Sequence, residues 1–193
     1  MDVIVAAEQR QRAAEAILGE LDLIGRWSAV GRPVVVGATS YGLMVAPDLD
    51  LEIFCDAEPT AEAGFAVLAA CAAHPGTIRA AYSNHLDGAD EGIYWKLGFR
   101  HQGEEWKVDM WALRHDHPGP LSSSLVEPMR AALTPESRRT ILTIKQELAA
   151  RPDRRCGSIH VYRAVLADGV ATFDEFETWR ADHDTESLTD WRP

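Results

Sequence analysis

Apolar residues recur at three- and four-residue steps from about Ala7 to Ser28, where Ala13, Ala14, Ile17, Leu18, Leu21 and Ile24 alternate with Glu and Arg. That period predicts one amphipathic helix, broken by Gly31-Arg32-Pro33. Val34-Val35-Val36 reads as a short buried strand. From Leu49 to Phe54 the period changes to two, which predicts a strand with one buried face. Thr60 is placed as the N-cap of a helix reaching about Ala73, and Pro75-Gly76 ends it. Three strands follow, over Ile78 to Asn84, Gly92 to Phe99 and Glu105 to Leu113. The turn-rich segments Asp87-Gly88-Ala89-Asp90 and His101-Gln102-Gly103-Glu104 separate them, as in an antiparallel meander.

Beyond Pro118-Gly119-Pro120 the pattern becomes helical from near Leu121. Thr134-Pro135-Glu136 starts a helix that runs to about Ala150, Ser158 to Leu166 reads as a further helix, and Thr172-Phe173-Asp174-Glu175 has the form of a capping box for the last. The expectation is an α+β fold, a mixed sheet flanked by helices over residues 1–117, with a C-terminal helical subdomain over 118–193.

At 193 residues and 46% hydrophobic the chain can fill a real core. A formal net charge of −11 argues against nonspecific nucleic-acid binding, which needs clustered Lys and Arg. The N-terminus lacks the basic segment of a signal peptide and no apolar run reaches membrane-spanning length, so a cytoplasmic, membrane-free protein is expected. Cys55, Cys71 and Cys156 are widely spaced with no CxxC pair, as for reduced structural thiols.

The strand phase places the chemistry. Leu49, Leu51 and Ile53 take one face of their strand, leaving Asp48, Asp50 and Glu52 on the other. Crowded carboxylates repel unless a cation offsets them, and they are hard oxygen ligands of the kind Mg²⁺ accepts beside phosphates. In Glu105 to Ala112, Trp106, Val108, Met110 and Ala112 share a face, and Lys107, Asp109 and Trp111 the other. On the strand before it Tyr94, Lys96, Gly98 and Arg100 oppose an apolar face of Ile93, Trp95, Leu97 and Phe99. Glu52 is read as a surface or supporting acid, His115-Asp116-His117 as a solvated turn beside prolines, and Trp111 as the one stacking candidate, because Trp95 and Trp106 fall on the core face.

Gly37-Ala38, then Asp48-Leu49-Asp50, then the later single acid Asp109 on its own strand resembles the DNA polymerase beta-like nucleotidyltransferase superfamily, whose small bacterial members include the antibiotic nucleotidyltransferases. The resemblance covers about Arg32 to Leu113, and Gly42, Leu43-Met44-Val45 and Pro47 also fit small members. It implies that Asp48 and Asp50 ligate paired Mg²⁺ ions, and that Asp109 is a shared ligand or the base for an acceptor hydroxyl. It further implies an NTP co-substrate held at Gly37, Ala38, Thr39 and Ser40, with Lys96 or Lys107 meeting pyrophosphate charge. Nucleoside monophosphate would pass to a hydroxyl of a small-molecule acceptor, and the acidic surface favours a cation of the aminoglycoside type. Acceptor recognition is expected in the C-terminal part, with His160, Tyr162, Arg163 and Arg155 as candidates, against the alternative that Tyr162 and Trp179 only pack helices. The family usually has Ser where this chain has Ala38, which leaves open a noncatalytic nucleotide-binding module; Asp-x-Asp also leaves open a metal-dependent glycosyltransferase.

Overall fold

In the computed structural model, which describes every residue except 155, 186 and 188, the chain opens with α1 (Val3–Glu20) and α2 (Leu23–Ser28). The single helix expected there is two. Asp22 takes a left-handed conformation (φ 46°, ψ 44°), and the turn it makes lets Leu21 and Leu23 both enter the core while Ile24 stays exposed. Strand β1 (Arg32–Val36) runs directly into a short helix, α3 (Gly37–Tyr41). Gly42, with φ 71°, closes it.

After β2 (Asp48–Cys55), α4 (Ala61–Ala72) begins as expected, the Thr60 hydroxyl accepting from the Ala63 N–H. The strands β3 (Thr77–Asn84), β4 (Gly92–His101) and β5 (Glu104–Arg114) form the anticipated antiparallel meander. The five strands lie in the order β1-β2-β5-β4-β3, with β1 antiparallel to β2 and β2 parallel to β5. That single parallel pair decides the site, because its register sets Asp50 beside Asp109.

A 3-10 turn (Ser122–Leu125) leads into α5 (Val126–Ala132), α6 (Pro135–Ala149), α7 (Ser158–Leu166) and α8 (Phe173–Ala181). Thr134 caps α6 reciprocally with Ser137. Thr172 caps α8 through the Glu175 N–H, but the Glu175 carboxylate accepts from Ala171 instead of closing the box on Thr172.

The apolar face of the sheet packs on α1, α2 and α4 through Leu49, Leu51, Ile53, Trp95, Leu97, Phe99, Val108 and Met110, with Trp27 at the centre donating its indole N–H to the Met110 sulfur at 3.0 Å. A second cluster joins α6, α7 and α8 to Tyr41, Leu43 and Ala7. Burial of this apolar area is the main favourable term in holding the layers together. The opposite, polar face of the sheet is thus left free to carry Asp48, Asp50 and Asp109. Cys55, Cys71 and Cys156 are free thiols. Among the described residues no helix is long and apolar enough to cross a membrane.

Candidate active site

Alternation on β2 and β5 turns Asp48, Asp50 and Asp109 to one face, and the register Asp48↔Lys107, Asp50↔Asp109 closes them into a group. One carboxylate oxygen from each lies within 4.8 Å of the other two. Lys107 offsets part of the charge, its Nζ standing 3.0 Å from Asp48 Oδ2 and 2.8 Å from Asp109 Oδ2. The Tyr94 hydroxyl donates to Asp109 Oδ1 at 2.7 Å. Asp48 Oδ1 is buried with no hydrogen-bond partner among the described residues.

These contacts leave a deficit of positive charge. Burial, and then the neighbouring Asp48 and Asp109, push the Asp50 carboxyl from 3.8 to about 7. Asp48 is also raised, burial outweighing the pull of Lys107. Burial works against the Lys107 charge, but hydrogen bonds to Asp109 and Asp48 carry its amine above the ordinary lysine range. Burial and the bond to Asp109 raise the Tyr94 phenol. A divalent cation fits the arrangement on two counts: the donors are all hard carboxylate oxygens, and one of them is buried without a partner.

Gly37 is confined by the same carboxylates. Its φ is +64°, and a Cβ there would come within 2.6 Å of Asp50 Oδ2, so only glycine lets α3 begin this close to the acid. Gly37 and Ala38 wall a cavity of about 340 Å³ that also reaches Asp48, Asp50, Lys145 and Tyr162. Thr39 and Ser40 are not in that wall: the Thr39 hydroxyl is buried and faces the Asp48 carbonyl at 3.5 Å, and the Ser40 hydroxyl donates to the Gly37 carbonyl at 2.8 Å. Lys96 lies across from Asp109 in the β4–β5 register.

Lys145 escaped the sequence reading. Its ammonium is buried on α6, donating to the Leu43 carbonyl at 2.7 Å and to the Tyr162 hydroxyl at 3.1 Å. Burial pulls its amine down from 10.5 to about 8, and Asp50 and Asp48 hold it from falling further. Burial likewise pushes the Tyr162 phenol up to about 12. A signal was present: Ile141, Lys145 and Leu148 fall on one apolar stripe of α6, where a lysine is out of place.

Of the two places expected for Glu52, surface or supporting, it takes the supporting one. It is buried, and its two oxygens accept from the backbone N–H groups of Ser122 (2.7 Å) and Ser123 (3.0 Å), pinning the chain where it leaves the sheet for the C-terminal helices. His160 lines a larger cavity of about 670 Å³ that shares Ser122, Leu125 and Ile159 with the first. Arg163 stands over the Trp179 ring, and Arg155 lies outside the described residues. The His115-Asp116-His117 turn is solvated, Asp116 held by Arg114 and His117 bonded to the Asp90 carbonyl.

No protein-family model matches this chain, nor does any curated protein sequence. Solved structures do. The structure of the GLD-2/RNP-8 complex superposes with a TM-score of 0.55 at 12% identity, over 93% of this chain and 70% of that one. The chain has a nucleotidyltransferase fold. A second match, the non-canonical poly(A) polymerase complex GLD-2–GLD-3, gives a TM-score of 0.52 at 11% identity, over 96% of this chain and 66% of that one. The likeness is one of fold, and this chain spans about two thirds of the length of those chains. The mixed sheet flanked by helices expected from the sequence is borne out.

Proposed function

We propose that this protein is a divalent-metal-dependent nucleotidyltransferase that moves a nucleoside monophosphate from an NTP to a hydroxyl of a small-molecule acceptor, as in the small antibiotic-modifying members of that fold. The Asp48, Asp50 and Asp109 cluster carries the reading, since three half-buried acids, one with a buried oxygen that has no partner, are costly to fold unless they serve a cation. These three residues would hold Mg²⁺. When bound, such ions neutralise phosphate charge and lower the pKa of a hydroxyl at their side.

The chain's own residues supply the rest. The triphosphate lies in the smaller cavity along Gly37, Ala38 and Lys145, where the buried ammonium meets the charge of the departing pyrophosphate. The acceptor oxygen attacks the α-phosphorus, the bond from that phosphorus to the bridging oxygen breaks, and pyrophosphate leaves. Asp109, oriented by Tyr94 and Lys107, takes the hydroxyl proton. Ala38, with Thr39 and Ser40 turned to backbone carbonyls, favours one second reading, a noncatalytic nucleotide-binding module.

Calorimetric titration with each NTP in Mg²⁺ and in EDTA tests the reading on wild type and an Asp48→Asn/Asp50→Asn double variant. Metal-dependent binding lost in the variant, followed by pyrophosphate release with an acceptor, is the expected result. Binding without release under any acceptor selects the noncatalytic module. No NTP bound with Mg²⁺ or Mn²⁺ removes both.

A further inference from the structure

Gly37, Ala38 and Tyr41 wall the smaller cavity, yet α3 does little to hold itself in place. At five residues it is too short to be stable alone, and Ala38 brings no hydroxyl, so a phosphate against this wall meets backbone. The position of that backbone is therefore the geometry of the wall. Within the turn the Leu43 N–H donates to the Ala38 carbonyl at 2.9 Å and the Ser40 hydroxyl to the Gly37 carbonyl at 2.8 Å.

The carbonyls that follow are of the kind a helix end leaves without partners, and here they go to cations of the C-terminal helices. Arg130 Nε, on α5, donates to the Ser40 carbonyl at 2.9 Å. Arg138 Nη1, on α6, donates to the Tyr41 carbonyl at 2.8 Å and to the Gly42 carbonyl at 2.9 Å, and Lys145 Nζ takes Leu43 at 2.7 Å. Arg138 and Lys145 are two helical turns apart on one stripe of α6, with buried Ile141 and Leu142 between them, so the stripe that docks the helix also delivers both charges.

Gly42 carries a second mark of this contact. A Cβ there would stand 2.7 Å from Arg138 Nη1, so the glycine that closes α3 at φ +71° also leaves the guanidinium its path to both carbonyls. Arg138 is half-buried, whereas Arg130 is exposed and shares its guanidinium with Glu127. The main hold is thus Arg138. Donors fixed before the phosphate arrives need no reorganisation to meet it, and a displacement of about 1 Å is enough to lose much of that benefit.

We propose that Arg138 is a positioning residue of the nucleotide site, holding the α3 turn so that Gly37 and Ala38 face the triphosphate that Lys145 meets, with Arg130 as a lesser support at Ser40. The proposal rests on the nucleotidyl-transfer reading above, and adds what keeps its phosphate wall in place. Arg138 lines neither cavity and the acids stand on β2 and β5, so its loss should weaken nucleotide binding and spare the metal.

The test uses the full chain as wild type, Arg138→Met, Arg138→Lys and Arg139→Met. Arg139, the next residue on α6, pairs with Asp2 at 2.7 Å on the surface and controls for the charge removed. Mn²⁺ affinity is measured alone by its electron paramagnetic resonance signal, and ATP, GTP, CTP and UTP are then titrated with Mg²⁺ by calorimetry. In Arg138→Met the affinity for each NTP that wild type binds should fall about tenfold, by the same factor whatever the base, with Mn²⁺ affinity unchanged. Arg138→Lys, which keeps the charge without the planar fork, should lose about threefold, and Arg139→Met nothing. Unchanged NTP affinity in Arg138→Met, an equal loss in Arg139→Met, a loss confined to one base, or an equal loss of Mn²⁺ affinity overturns the proposal. Should Arg138→Met not fold, Arg138→Lys and Arg130→Met carry the comparison, and unchanged NTP affinity in both overturns it. Wild type that binds no NTP defeats the transfer reading, whereas NTP bound equally by wild type and Arg138→Met defeats the positioning role alone.

Discussion

Asp50→Asn should stabilise the protein in the absence of metal, although it removes a residue at the centre of the site. In the folded chain the Asp50 carboxyl titrates near 7 instead of 3.8, because burial and the charges of Asp48 and Asp109 oppose its ionisation. A group whose folded pKa is raised contributes stability below its unfolded pKa and loses it as pH climbs through the folded one, so wild type should weaken between about pH 4 and 7. At about 1.4 kcal/mol per pH unit, the full displacement amounts to about 4 kcal/mol above neutrality. An amide keeps the polar burial cost but not the charge, so the expected net gain is about 1–2 kcal/mol at pH 8. For a chain of this length that corresponds to a rise in Tm of about 3–6 °C. The assay is thermal unfolding in EDTA across pH for both proteins. Their difference should be large at pH 8 and vanish toward pH 4.5. With Mg²⁺ or Mn²⁺ added, wild type should gain stability, by about 2.7 kcal/mol at a hundredfold excess over Kd, and Asp50→Asn should not. A difference that does not change with pH, or a variant equally stabilised by metal, would refute the reasoning.

Gly37→Ala should lower stability by about 1–2 kcal/mol because of its positive φ, and the new Cβ should displace the Asp50 carboxylate; thermal unfolding and Mn²⁺ titration check both effects, and unchanged metal affinity would count against the close approach. Lys145→Met should cost at least about tenfold in NTP affinity by removing a charge-assisted contact. The same variant should lack a rise in stability that wild type shows from pH 8 to 10.5, since the depressed Lys145 amine penalises folding only while the unfolded chain holds the proton. That rise is worth about 3 kcal/mol at most, read from unfolding at a pH series.

Asp48 with Asp50, and Lys107 with Asp109, were legible as two same-face pairs because strand alternation is local: each residue's face follows from its neighbours two positions away. Thr60 and Thr134 were legible for the same reason, since a cap reaches only three residues along the chain. Glu52 shows where that logic stops. Its phase was right, yet its environment depends on Ser122 and Ser123, which no local pattern brings to it.

What the sequence determined by itself, then, is the alternation of β2 and β5, the meander from β3 to β5, the capped helices that follow, and the sharing of one strand face by Asp48 and Asp50 and of another by Lys107 and Asp109. Only the tertiary structure decided that β2 pairs with β5 in parallel, which joins the two sets of acids, and that α6 lays Lys145 against Leu43 beneath them. The physical reason is that side-chain periodicity is a property of a few neighbouring residues, whereas strand partnership and helix docking are chosen by the burial of whole apolar faces against each other.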